Sequence, residues 1–433
     1  MSGPTLTELC ATFAGYDPDA MPVPTAQQLI GCFVQPIADT ETLPLKQALG
    51  RVLAEAVISP INVPAHDNAA MDGFALHSAD LHASQPVTLP IIGTALAGKP
   101  FTGDVGSGQC VRIMTGAVMP GTTDTVVPQE WTHQASTGTV TLAAAIVRAG
   151  ANRRLAGEDL AQGLPALTQG RLLTPADLGL LASIGMGQVS VRRKLRVAYF
   201  STGDELRSIG ESLDEGCVYD SNRYTLHGML VRLGCEPLDM GVIQDDPAAI
   251  EAALRHGCLH ADAIITSGGV SVGEADYTRH MMARLGDVLF WKINMRPGRS
   301  MAFGRISPPE TPDSQHSAYL FGLPGNPVAV MVTFYFFARQ ALLRMMGAMP
   351  EAPIYTRVAS ATAIRKKPGR TEYQRGIVSV DQQGQQSVRI TGSQGSGILS
   401  SMSEANCMVV LHHAQGDVQA GDVIDVMLFD ALV

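Results

Sequence analysis

Apolar positions recur at helical spacing in Ala26, Leu29 and Ile30, and again in Leu45, Ala48, Leu49, Val52 and Leu53, which predicts a helix starting near Thr25 and a second over 44–55. From 61 to 148 the period shortens. Runs such as VTLPIIGTAL, CVRIMTGAVM and DTVVPQEW, cut by Gly and Pro, predict short strands of a β domain. Helical spacing returns in Leu178, Leu181 and Ile184 behind Thr174 as cap and Pro175 in the first turn. The β stretch 61–148 therefore reads as an insertion splitting a helical domain into 25–60 and 149–194. Residues 1–24, rich in Pro, Asp and Thr, are expected to form a flexible tail.

From 195 to 348 strand-like and helix-like segments alternate, as in a doubly wound αβα sheet. LRVAYF, EPLDMGVI, DAIITSGG, VLFWKI and AYLFGLPG read as strands. Residues 221–234 read as a helix capped by Ser221 or Asn222, and 247–260 as one capped by Asp246. ISPPETPDSQHS reads as an exposed loop, and NPVAVMVTFYFFARQALLRMMG as a long core helix, because its most apolar part contains Arg339 and falls short of the ~20 residues a bilayer needs. Residues 349–433 alternate at period two, as in DVIDVMLF, which predicts a small C-terminal β barrel. The expected architecture is multidomain α/β plus β.

Composition narrows the function classes. The net charge is −9, from 31 Lys and Arg against 40 Asp and Glu, with no basic tail, which argues against nucleic-acid and membrane partners. Seven scattered cysteines without a CxxC fit thiols in a reducing cytoplasm, and no signal peptide is recognisable.

Four strand-to-loop junctions carry polar residues where such a sheet opens its crevice. They are 202–205, with Gly203 and Glu205; 220–222, with Asp220 and Ser221; 268–276, with Gly268, Gly269, Ser271, Glu274 and Asp276; and 322–327, with Pro324 and Asn326. Glycine lets backbone N–H groups approach a phosphate, and a helix start adds about half a positive charge. Neither a GxxxxGK[ST] nor a GxGxxG motif is present, so no standard NTPase or dinucleotide binder is indicated. Glu205, Asp245, Glu274 and Asp276 are candidate Mg²⁺ ligands. Lys292, Arg296 and Arg299 are candidate cations facing an anion.

Taken together, SGGVSVGEADY (267–277), STGDEL (201–206) and GLPGNPV (322–328) closely resemble the molybdopterin molybdenumtransferases, the MoeA family that includes the E domain of gephyrin. The resemblance continues in NAAMDGFAL (68–76), VRIMTGAVMP (111–120), RLAGEDL (154–160), GRTEYQRG (369–376) and GSQGSG (392–397). It implies a homodimer of four-domain subunits in which the αβα domain binds molybdopterin and the split helical domain serves dimerisation. It also implies a Mg²⁺-dependent reaction of adenylyl-molybdopterin with molybdate that yields molybdenum cofactor and AMP.

By that resemblance Asp72, Thr115, Asp159, Glu205, Asp276 and Lys292 are catalytic, and Asp245, Glu274 and Asp276 hold the metal. On chemical grounds the Gly268 and Gly269 N–H groups are expected to hold a phosphate, and Arg370, Arg375, Ser393 and Ser396, a donor set suited to an oxyanion, are expected to admit molybdate. Arg296 stands where some members have Lys, which keeps the charge and changes its shape. Asp72 and Thr115 are expected to serve the cleft of the partner subunit, and transient contact with the molybdopterin adenylyltransferase is expected. Alternatives are an adenylyltransferase-like or nucleotide pyrophosphatase activity, and a gephyrin-like scaffold.

Overall fold

A row of apolar side chains, Tyr199, Ile265, Phe321 and Phe303, runs directly across four neighbouring strands and sets the register of the central sheet. The computed structural model describes residues 4–136, 138–269, 284–307, 317–349 and 353–431. Ser271, Glu274 and Asp276, and most of the expected 306–317 loop, lie outside these residues. The described chain divides into two compact units, one made of Met1–Glu41, Gly50–Val52 and Arg192–Val433, the other of Thr42–Leu49 and Leu53–Val191.

The central sheet of the first unit contains β1 (Arg196–Thr202), β2 (Glu236–Ile243), β3 (Ala263–Ser267), β4 (Gly286–Lys292), β5 (Ser300–Ile306) and β6 (Ala318–Leu323), in the order 2-1-3-6-5-4. β2, β1, β3 and β6 are parallel, whereas β5 runs antiparallel to both β6 and β4. β1 alternates its buried residues between two cores. Val197 and Tyr199 join Leu226, Met229 and Leu230 of helix α1 (Asn222–Arg232). Ala198 and Phe200 join Ile250, Ala253 and Leu254 of helix α2 (Pro247–His260) on the other face. Burial on both faces is what makes these parallel strands continuous apolar runs. Asp246 caps α2 as expected, its carboxylate accepting from Ala249 N at 2.9 Å.

Helix α3 (Pro327–Met345) is apolar and long enough to pass for a membrane span, but 78% of its apolar window is buried inside the chain, which makes it a core helix. Its middle, Phe334–Ala338, widens into a π turn, and Phe336 stacks on Tyr373 with ring centroids 3.9 Å apart.

The flexible tail expected over 1–24 does not hold for the described residues. Leu6–Ala11 is a helix with a reciprocal capping box between Thr5 and Glu8, and Leu6 and Cys10 are buried in the α/β core. The Leu6 amide donates to Asp287 of β4, and Met21 bridges to Ile293. Long-range burial overrides the polar composition. The next helix, Val23–Phe33, packs Phe33 edge-on against Phe303 of β5, so the segment 25–41 belongs with this unit and not with the split domain.

Five strands, Thr356–Ser360, Thr371–Val380, Gln386–Ile390, Cys407–Leu411 and Val423–Leu428, close into the C-terminal barrel around Val358, Val388, Val409, Leu411 and Val426. A two-residue strand between β4 and β5, Met295–Arg296, pairs in parallel with Thr371 and Glu372 of the barrel.

In the second unit six short strands form the inserted β domain, in the spatial order Thr125–Pro128, Gly73–Leu76, Cys110–Ile113, Val87–Ala95, Thr139–Leu142, Thr132–Ser136. Ala48, Leu53 and Val57 share one core with Leu167, Leu173, Leu181 and Ile184, so the two halves of the interrupted domain do meet. Thr174 caps the helix Pro175–Ser183 through a capping box with Asp177. The helix expected over 44–55 is instead the end of a strand, Thr40–Pro44, and one 3₁₀ turn, Leu45–Gln47. Gly50 at φ +70° breaks the helical path, and Leu49 is exposed.

Candidate functional site

The carboxyl ends of β1, β3 and β6, the start of α1, the 295–300 segment and the barrel loop 394–396 surround a cleft of about 1200 Å³ in the first unit. Its floor is held by a bonded lattice. Asn222 at the start of α1 donates through Nδ2 to Ser267 Oγ of β3 at 2.7 Å and to Gly325 O beyond β6 at 2.6 Å, pinning three elements together. Asp220 is 2% exposed. Its Oδ1 accepts from Ser201 Oγ at 3.0 Å and from Arg223 N at 3.2 Å, so the side chain that caps α1 is that of Asp220; Ser221 holds the cap position without a side-chain bond, and the Asn222 amide is turned to Ser267 and Gly325. Arg223 Nε lies 3.4 Å from its other oxygen.

Charge is distributed unevenly around this floor. Asp204, Glu205 and Asp245 line the cleft on loops after β1 and β2, and the Asp245 amide donates to Asp204 Oδ1 at 3.2 Å. Arg296, Arg299 and Arg370 line it from the 295–300 segment and the barrel. Arg370 is steadied by Glu372, which accepts from its Nε at 2.8 Å. Among the described residues no group of three or more His, Cys, Asp or Glu side chains forms a metal cage. The expected ligands Glu274 and Asp276 lie outside the described residues.

The sequence-predicted residues divide clearly. Gly203, Glu205, Asp220, Ser221, Asp245, Gly268, Gly269, Arg296, Pro324, Asn326, Arg370 and Ser396 do line the cleft. The Gly268 amide, however, donates to Leu323 O at 3.1 Å, so the sheet takes the N–H expected to hold a phosphate. Gly268 stands at φ +96°, and a Cβ there would sit 2.6 Å from Thr202 O. Lys292 is not among the lining residues; its Nζ pairs with Asp19 Oδ1 at 2.7 Å.

Arg375 is wholly buried in the barrel. It donates to Ser401 Oγ at 2.9 Å, Gly395 O at 2.9 Å, and Ser393 O and Gln394 O at 3.3 Å each. It therefore shapes the loop that carries Gln394 and Ser396 to the cleft, and is not itself presented to an anion. Burial, with Arg296 nearby, pushes its pKa down to about 10. Ser393 is exposed and does not line the cleft. Loop 394–396 is also tied to α3, where Val328 N donates to Ser396 O at 3.0 Å.

Asp72, Thr115 and Asp159 belong to the second unit. Asp72 Oδ1 accepts from the Thr115 hydroxyl at 2.6 Å and the Thr115 amide at 2.7 Å. These bonds, the hydroxyl foremost, hold the Asp72 carboxyl below its ordinary range. Asp159 is exposed, and its amide donates to Val63 O at 3.0 Å.

Cleft residues absent from the predicted set include Tyr219, Met295 and Gln394. Gln394 lay within the GSQGSG motif without a stated role, and Tyr219 carried the signal of an aromatic directly before the junction acid Asp220.

Comparison with known proteins agrees with this architecture. Residues 21–185 match the MoeA N-terminal region (domain I and II), 198–344 a probable molybdopterin binding domain, and 357–429 the MoeA C-terminal region (domain IV). A molybdopterin molybdenumtransferase of Haemophilus influenzae is 41% identical over 396 residues, covering 91% of this chain and 95% of that protein. One from Nostoc is 36% identical over 401 residues, covering 90% and 89%. The crystal structure of a molybdopterin biosynthesis MoeA protein from Pyrococcus horikoshii superposes with a TM-score of 0.80 at 26% identity, covering 95% of this chain and all of that one. With three consecutive matches spanning most of the sequence and relatives aligned over nine-tenths of it, the chain belongs to the MoeA family of molybdopterin molybdenumtransferases.

Proposed function

We propose that this enzyme of molybdenum cofactor biosynthesis takes adenylyl-molybdopterin and molybdate into the cleft of the α/β unit and releases molybdenum cofactor and AMP. The observation that carries this reading is the division of one 1200 Å³ cleft between acids on the β1 and β2 loops and arginines on the 295–300 segment and barrel. A cleft at the carboxyl edge of a doubly wound sheet is where such folds bind phosphorylated ligands, and its size suits a substrate larger than a mononucleotide. Arg296, Arg299 and Arg370 offer bidentate donors to a tetrahedral oxyanion or a phosphate. Ser396 and Gln394 line the same cleft.

Asp204, Glu205 and Asp245 are hard oxygen donors of the type Mg²⁺ prefers, and the Asp245 amide bond to Asp204 brings their loops together; since among the described residues they close no set of three, the ion's remaining ligands would be substrate phosphate and water. When bound, Mg²⁺ would supply charge neutralisation at the phosphate linkage. The acids would hold it and the arginines would orient the anions.

The deciding experiment incubates the protein with adenylyl-molybdopterin, Mg²⁺ and molybdate, and follows AMP chromatographically. Molybdate-dependent AMP release is expected, and its loss in Asp276→Ala. AMP release that ignores molybdate would refute the reading. Formation of adenylylated pterin from ATP and free molybdopterin would favour the adenylyltransferase alternative. The proposal includes a homodimer in which Asp72 and Thr115 act on the partner's cleft. Asp72→Ala and Asp276→Ala subunits, refolded together into verified mixed dimers, should regain part of the activity that each lacks alone.

A further inference from the structure

Adenylyl-molybdopterin carries a planar purine and the planar pyrimidinone ring of its reduced pterin, and polar donors alone do not hold such rings well. Among the described residues lining the cleft, Tyr219 is the single aromatic. It is 47% exposed, so a large part of its ring is presented rather than packed.

Exposure here does not mean freedom. Tyr219 lies in a two-residue strand that pairs in parallel with Leu206 and Arg207, directly after the cleft acid Glu205. The ribbon is fastened at both ends, where Val218 N donates to Glu205 O at 2.9 Å and Asp220 N to Arg207 O at 3.0 Å. The tip of the side chain is fastened too, since its hydroxyl donates to Glu211 O at 3.1 Å. Backbone and phenol are thus both fixed before any ligand arrives, and the ordering cost that usually weakens an exposed aromatic contact is small. An unpacked, pre-oriented phenol ring beside Asp220 is the arrangement proteins use to stack a nucleobase.

On the proposed function above, we infer that Tyr219 is a specificity-determining residue that stacks on a planar ring of the substrate. This contact favours adenylylated pterin over a ring-less phosphate ester.

The test measures binding calorimetrically with the full-length protein and three probes: AMP, free molybdopterin, and ribose 5-phosphate. Tyr219→Ala should raise the dissociation constant for AMP or for molybdopterin about 10-fold or more, leave ribose 5-phosphate unchanged, and by the probe affected tell which ring is stacked. Tyr219→Phe, which keeps the ring and loses the Glu211 contact, should stay within about 3-fold of the parent for the same probe. Equal binding of both ring-bearing probes by parent and Tyr219→Ala would overturn the inference while leaving the proposed function standing. Failure of the parent protein to bind either of them would overturn both.

Discussion

Replacing Arg375 by Met separates a buried positioning role from direct anion binding, because Met keeps the apolar stem and removes only the fork. Two effects oppose each other. Removing the guanidinium relieves the burial that lowers its pKa from 12.5 to about 10, which corresponds to about 3 kcal/mol. It also strips the donor from Ser401 Oγ and from the carbonyls of Ser393, Gln394 and Gly395. An acceptor left unsatisfied costs about 1–3 kcal/mol; Ser393 is exposed and its carbonyl can turn to water, so the other three cost about 3–9 kcal/mol. The loss matches or exceeds the relief, and Arg375→Met should destabilise the protein by up to about 6 kcal/mol. Urea titration read by circular dichroism measures this as a lowered midpoint with unchanged slope. Molybdate-dependent AMP release should fall as well, because loop 394–396 loses its support. Arg375→Lys, which keeps the charge but not the fork, should fall between. A Met variant as stable as the parent and fully active would show that the buried network sets neither stability nor loop position.

Two further outcomes test the floor of the cleft and the second unit. Gly268→Ala places a non-glycine residue at φ +96° with its Cβ 2.6 Å from a backbone oxygen, and should cost about 2 kcal/mol or more by the same urea titration together with loss of AMP binding; a neutral variant would mean that the β3 loop is built differently. In Thr115→Val the Asp72 carboxyl, followed by carbon-detected NMR, should titrate at higher pH than in the parent. The sign follows from its depressed folded-state pKa: its stabilising contribution is present above the ordinary carboxylate pKa of about 3.9 and is lost as pH falls through the lower folded value, so the variant should lose less stability between neutral pH and pH 2.

Much of this molecule was legible in its sequence because the signals were local and repeated. The αβα core followed from alternating apolar runs, and Asp246 and Thr174 were recognised as caps because a capping carboxylate or hydroxyl acts within three residues of its own position. Partners distant in sequence were not legible. Nothing near residue 6 reveals that its amide meets Asp287 in β4, so the N-terminal segment resembled a tail. Arg375 and Lys292 stand out in the sequence as cations, yet the partners that hold them, Ser401 and Asp19, are connected to them by no spacing rule. Asp220 was singled out as polar at a junction, but only the fold shows that its carboxylate is engaged by Ser201 and Arg223.

The strand Met295–Arg296 bears on how such proteins can be recombined. It leaves the α/β sheet between β4 and β5, yet its hydrogen-bonding partner is Thr371–Glu372 of the barrel. Side chains alternate along such a pairing, Met295 being buried and Arg296 exposed, so a slip of one residue would exchange a thioether for a guanidinium at the cleft wall. A chimera that grafts a relative's barrel at residue 349 would separate the two halves of this ladder even though its breakpoint cuts no strand. The charge of the cleft is therefore inherited as a pair of segments, 295–296 with 371–372, and barrels should be exchangeable between relatives only when both travel together.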